Sequence, residues 1–304
     1  MKYPVFILFI FGLIVAGCDP NSQDEYEEYV VLESYIVADR SLPVVRLSRT
    51  LPIDEEYSFQ NAALSGANVL VTLLDEDGND VESFPYIERS ESFSGIYTPI
   101  NQEHQVIPRR TYRVDVNFNN RDDELTARTT VPDQISIINE IPETIEYRGD
   151  QQLEIVLSAT ERTEAQNRYV FNAIKENPRE DLLTPFYRAS VVDGDSNPED
   201  FANNSSGLIN EGNFDLNEED GTTTLLFPWI GVAFFEENLI VINSVDSEMG
   251  EFLRSQNVQL GGSTLPPGEI PNVRYNVEGG IGIFGSIASD TVSTFFSRPG
   301  IELE

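Results

Sequence analysis

The sequence predicts a mainly-β protein: an N-terminal immunoglobulin-like β-sandwich over residues 29–133, then a second, larger β-rich domain over 134–304 with one short helix. Three observations lead there. Short runs rich in Val, Ile, Thr, Tyr and Phe recur along the chain. Turn clusters such as D-E-D-G-N-D separate them. Helical spacing of apolar residues is confined to one stretch near residue 250.

The first region opens with Y-V-V-L-E-S-Y-I-V-A (Tyr29–Ala38) and P-V-V-R-L-S-R-T (Pro43–Thr50), both dense in β-branched side chains. A-N-V-L-V-T-L-L (Ala67–Leu74) runs into Asp77-Gly78, a pair that favours the tight turn of a hairpin. T-Y-R-V-D-V-N-F (Thr111–Phe118) alternates apolar and polar residues throughout, as a half-buried strand requires. After N-N-R-D-D, the run E-L-T-A-R-T-T-V-P closes the set at Pro132.

In the second region, strands are expected at Leu153–Ala159, Asn167–Ile174, Thr222–Phe227, Glu237–Val245 and Val273–Val277. The stretch D-S-E-M-G-E-F-L-R-S-Q (Asp246–Gln256) pairs an N-capping Asp with helical apolar spacing. Residues 193–221 hold nine acidic side chains and no Lys or Arg, and read as a long solvated loop. Asp193, Asp195 and Asn197 imitate the opening of a calcium loop. Pro198 and Asn204, however, stand where such a loop needs Gly and a bidentate Glu, so calcium is a weak candidate there and no metal site is expected.

The N-terminus sets the expected compartment. One Lys precedes an apolar run from Pro4 to Ala16, too short to span a bilayer as a helix and matching the core of a secretory signal peptide over residues 1–17. Val15-Ala16-Gly17-Cys18 has the form of a lipobox, with small residues letting a peptidase reach the bond between Gly17 and Cys18. Cys18 is then the lipid-attachment residue, and several acyl chains hold a membrane far better than one. Because Cys18 is the only cysteine, disulfides and thiolate chemistry are not expected in the mature chain. Residues 18–28 form an acidic tether.

Charge and composition narrow the chemistry. The chain has 52 acidic against 19 basic residues and a formal charge of −33, a surface that repels phosphate backbones and argues against nucleic-acid partners. Lys2 and Lys175 are its only lysines. His104 is the sole histidine, and no G-x-S-x-G is present, so neither a nucleophilic triad nor a zinc site is expected. The reading is non-enzymatic and without a cofactor. Near the C-terminus, Gly280, Gly282 and Gly285 fit G-x-G-x-x-G, yet the residues after Gly285 read as strand instead of helix. The glycines are therefore expected to allow close backbone packing, and no nucleotide is expected. Phe227 and Trp229 read two ways, as sugar-stacking aromatics of a possible ligand site or as core packing.

The C-terminal V-R-Y-N-V-E-G-G-I-G-I-F-G-S-I-A-S-D-T (Val273–Thr291) resembles the closing signature of a family of Bacteroidota lipoproteins, domain of unknown function 4249. V-R-L-S-R-T at Val45–Thr50, S-G-A-N-V-L-V at Ser65–Val71 and G-I-Y at Gly95–Tyr97 agree with it. The resemblance implies an outer-membrane lipoprotein working beside a SusC-like TonB-dependent receptor in nutrient capture or receptor assembly. It implies a cell-surface or a periplasmic face, and Asp24, Glu25, Glu27 and Glu28 fit a surface-export signal loosely. The alternative is a surface glycan-binding or adhesion module.

Overall fold

The computed structural model describes residues 26–89, 94–161, 166–192, 194, 196–259 and 272–300. In the first half, β1 (Val30–Val37), β2 (Val45–Arg49), β3 (Ala67–Leu74), β4 (Asp80–Glu88), β5 (Ile96–Pro99), β6 (Thr111–Phe118) and β7 (Glu124–Thr130) fold in order, with a one-turn helix α1 (Phe59–Ala62) between β2 and β3. The β3–β4 turn carries Gly78 at φ 83°, the conformation anticipated for Asp77-Gly78. β4 is a corner strand. Its first residues pair with β3 and its last three with β5, so the sheet turns over and encloses a core between β1, β2 and β5 on one side and β3, β6 and β7 on the other.

The second half contains β8 (Thr144–Glu146), β9 (Glu154–Leu157), β10 (Arg168–Ile174), helix α2 (Pro185–Val192), β11 (Asn203–Asn210), β12 (Asp215–Leu216), β13 (Thr223–Leu226), β14 (Glu236–Val245), helix α3 (Ser247–Asn257) and β15 (Ile281–Ser297). A three-stranded sheet, β12-β13-β9, faces β10, β14 and β15 across a second core that includes Tyr169, Phe171, Ile240, Ile242 and Phe296. The capping side chain of α3 is Asp246, which accepts from the Met249 N–H at 2.8 Å.

β15 belongs to both halves. Its first part pairs parallel with β1, from Val31 opposite Ile281 to Val37 opposite Ile287; its length from Ile287 to Phe296 pairs antiparallel with β14. Phe284 and Ala288 lie in the first core and Phe296 in the second. The first core is thus built from residues 30–131 completed by Val277, Phe284 and Ala288 from the far end of the chain.

Two expectations are corrected. Val273–Val277 is not a strand: residues 272–277 run irregularly, and Asn276 uses its side chain in place of a ladder, accepting from the Phe284 N–H and donating to the Phe284 and Arg128 carbonyls. The described part of 193–221 is more than a loop, since it contributes β11 to the edge of the large sheet and β12 to the small one.

Candidate functional site

Along β10 and β14 successive side chains alternate between the second core and the opposite face of the sheet. That opposite, outer face is covered at one end by α3, whose Met249, Phe252 and Leu253 pack with Val170, Leu208 and Ile287. Past α3, the face is crossed by a row of amides and a hydroxyl. Ser289 Oγ donates to Asn243 Oδ1 at 2.6 Å, Asn243 Nδ2 to Asn172 Oδ1 at 3.0 Å, and Asn172 Nδ2 to Asn203 Oδ1 at 2.9 Å. Four strands, β15, β14, β10 and β11, each supply one member. Asn243 is further anchored by donating to the Val170 carbonyl at 3.1 Å.

Asparagine is depleted from strands because its short amide competes for the backbone. Its placement at outward positions of β10 and β14, otherwise rich in Val, Ile and Phe, therefore calls for a reason beyond sheet formation. Val241, Thr291 and Ser293 continue the face away from α3.

At its far end the face opens into a cleft of about 690 Å³ lined by Ile174, Lys175, Arg179, Glu236, Glu237 and Phe295, among others. Its wall rests on an unusual bend. Glu236 has φ 67°, a left-handed conformation costly for a residue with a Cβ. Asn238 holds the bend by donating to the Phe234 and Glu236 carbonyls at 3.0 and 2.9 Å, and the buried Lys175 Nζ donates to the Glu237 carbonyl at 2.9 Å. Burial lowers the pKa of Lys175, with Glu236 Oε2, 4.0 Å away, acting in the opposite sense. Ser293 donates to Glu237 Oε1 at 2.8 Å, so this carboxylate is pre-oriented on the open face. Arg179 is engaged by Asp181.

The residues singled out from sequence fall elsewhere. Phe227 is buried in the second core, out of reach of any sugar, and Trp229 packs edge-on against Tyr147 at 5.5 Å, partly buried. The packing alternative is what the geometry supports for both. Gly17, Cys18, Asp193 and Asp195 lie outside the described residues, as do residues 18–25 of the tether. Asn197 precedes a short 3-10 turn (Pro198–Phe201), its N–H donating to Asp200 at 2.8 Å. Among the described residues no group of three or more His, Cys, Asp or Glu side chains is placed to hold a metal ion. His104 lies in an irregular segment with its side chain largely enclosed: the ring packs 4.2 Å from Phe84, and Nε2 meets Tyr112 Oη at 2.9 Å. Burial lowers its pKa, against a raising effect from Glu82.

Gly279, Gly280, Gly282 and Gly285 are structural. A Cβ on Gly282, at φ 120°, would lie 2.0 Å from the Leu32 carbonyl oxygen, and one on Gly279, at φ 79°, 2.0 Å from that of Glu124. Gly280 similarly abuts the Val30 carbonyl, whereas Gly285 faces the flexible end of Met249. The segment has no helix after it and is continuous with β15.

The fold and this site together define a mainly-β protein in which two cores share one long strand and an open sheet face carries an amide row. The chain belongs to the family described as a domain of unknown function (DUF4249), whose model matches residues 18–293. No curated protein matches it. Among solved structures, Escherichia coli alpha-2-macroglobulin activated by porcine elastase is similar at 13% identity over 87% of this chain, with a TM-score of 0.25. The chain spans 22% of that protein's length. Three N-terminal domains of the Highly Immunogenic Outer Capsid protein (Hoc) of bacteriophage RB49 are similar at 11% identity over 72% of this chain and 64% of theirs, with a TM-score of 0.20.

Proposed function

We propose that this chain is a non-enzymatic, lipid-anchored outer-membrane protein that serves a SusC-like TonB-dependent receptor in nutrient capture. The observation that carries the anchor is the lipobox Val15-Ala16-Gly17-Cys18, and the family match starts at the same Cys18. The partner comes from what the family resemblance implies. The outer face of β10, β14 and β15 is the recognition surface in this reading, because it is open and lined by oriented amides.

Metabolic labelling with a palmitate analogue, followed by pull-down of the tagged chain from detergent-solubilised outer membranes, tests the reading. Wild type incorporates label and recovers a receptor of the TonB-dependent class, and Cys18→Ser loses the label. Wild-type protein without label removes the anchor; labelled protein that recovers no receptor removes the partner.

A further inference from the structure

We infer that the amide row on the outer face of β10, β14, β15 and β11 is a binding site for a neutral oligosaccharide. The inference rests on the reading of this face as the recognition surface and names the ligand class for it. The face is first notable for its charge. In a chain with 52 acidic residues, the outward positions from Asn243 and Ser289 to Leu239 and Ser293 bear none, and neither do Asn172 and Ile174 on the neighbouring strand. A polyanion would meet the field of a −33 chain, and a cationic ligand would find no carboxylate among the amides, the nearest being Glu237 at the cleft end, already engaged by Ser293. A neutral ligand pays neither cost.

The second argument is hydrogen-bonding capacity. Asn172 uses one N–H towards Asn203 and accepts one bond from Asn243, leaving a second N–H and a second lone pair. A sugar hydroxyl donates and accepts at once, and matches that remaining pair. Because Asn172 and Asn243 are tied to each other, to Asn203, to Ser289 and to a backbone carbonyl, their amide planes are set before a ligand arrives, which lowers the entropy lost on binding. Towards the cleft, Glu237 is oriented by Ser293 to accept from hydroxyls, and the half-buried Phe295 ring lies beside it for contact with the C–H face of a sugar.

The test titrates the full-length chain, purified in detergent, with neutral gluco-, manno- and xylo-oligosaccharides and separately with an oligogalacturonate, by calorimetry. At least one neutral series binds saturably and the oligogalacturonate does not. Asn172→Ala and Asn243→Ala each weaken binding about tenfold or more, as expected when oriented polar contacts are lost. Thr291→Trp, at an exposed position opposite Val241, obstructs the face while leaving every member of the row in place. It abolishes binding while leaving the melting temperature near wild type, and it decides the matter if the Asn variants fold poorly. Folded wild type that binds no neutral series, binding of the oligogalacturonate in its place, or unchanged affinity in Thr291→Trp overturns the assignment. Receptor recovery in the pull-down is read separately, so a chain that captures its receptor yet binds no sugar loses only the ligand class.

Discussion

The two cores are sealed differently. The first is closed by two layers of the same folded sheet, and β4 turns the corner between them; the second is covered by a three-stranded sheet on one side of β10, β14 and β15, and among the described residues α3 alone sits on the other. Outward positions of the first region carry ion pairs, Arg46–Glu33 and Arg113–Asp115 among them. On the second region, past α3, the outward positions of β10, β14 and β15 carry amides, hydroxyls and apolar side chains as far as Glu237. β15 couples the regions, so damage at its seam with β1 is expected to reach both.

The sharpest way to break that coupling is Gly282→Val. Its side chain would collide with the Leu32 backbone, which cannot rotate away, and it would hold an unfavourable φ. A loss above about 4 kcal/mol is expected, in the class of exceptional destabilisation. Failure to recover folded protein, or a fall in melting temperature far beyond that of Gly285→Ala, checks it; a Gly282→Val protein as stable as wild type sinks the structural role of the glycine. Phe296→Ala, fully buried in the second core, is expected to cost about 3–5 kcal/mol. If β15 makes the cores one cooperative unit, hydrogen exchange accelerates in β3 and β6 as well. Acceleration confined to β9, β10, β13 and β14 shows that the two cores open independently.

Asp246 sits where the halves meet and gives a pH-dependent test. It accepts from Thr129 of β7, from Ser286 of β15 at 3.2 Å and from the Met249 N–H, and burial raises its pKa to about 6 despite those bonds. The folded chain therefore holds this proton more tightly than the unfolded chain. Its contribution is complete below about pH 4 and is lost as pH rises through about 6. Asp246→Asn retains a capping side chain without the titration. The stability of wild type relative to Asp246→Asn should fall by about 2–3 kcal/mol between pH 4 and 7, read from urea midpoints. A constant difference refutes it. Trp229→Ala should cost about 1–3 kcal/mol, since the ring is only partly buried, and leave oligosaccharide affinity unchanged. A selective loss of sugar binding would return Trp229 to the site. The smallest effect is expected for Ser293→Ala: within about 0.5 kcal/mol in stability, because the position is exposed, with a measurable loss of affinity through the freed Glu237.

Much of the strand inventory was legible in the sequence because strands such as β1, β6, β7 and β10 alternate over a half-buried surface. Thr111–Phe118 is reproduced residue for residue as β6, and the Asp246 cap begins α3 one residue later. β4 was hidden by Pro85, which argues against a strand interior; it is tolerated at the point where β4 leaves β3 for β5. Helix α2 opens on Pro185 and continues P-F-Y-R-A-S-V-V, a composition that reads equally as strand. Of the site, only a propensity conflict was visible: Asn172 and Asn243 in strands that otherwise favour Val, Ile and Phe. The aromatic pair Phe227-Trp229 drew attention through composition, but apolar rings beside apolar runs are pulled inward.

The sequence by itself determined the β class, the lipid-anchor signature, the glycine requirement near residue 282 and the exclusion of thiol chemistry after Cys18, because each rests on local stereochemistry or on the presence of a residue type. Only the tertiary structure decided that β15 closes the first core by pairing with β1, that Asp246 is buried between the halves, and that Asn203, Asn172, Asn243 and Ser289 form one row. These are meetings between strands far apart in the chain, set by register across the sheet, and register is a property of pairs of strands that no single strand encodes.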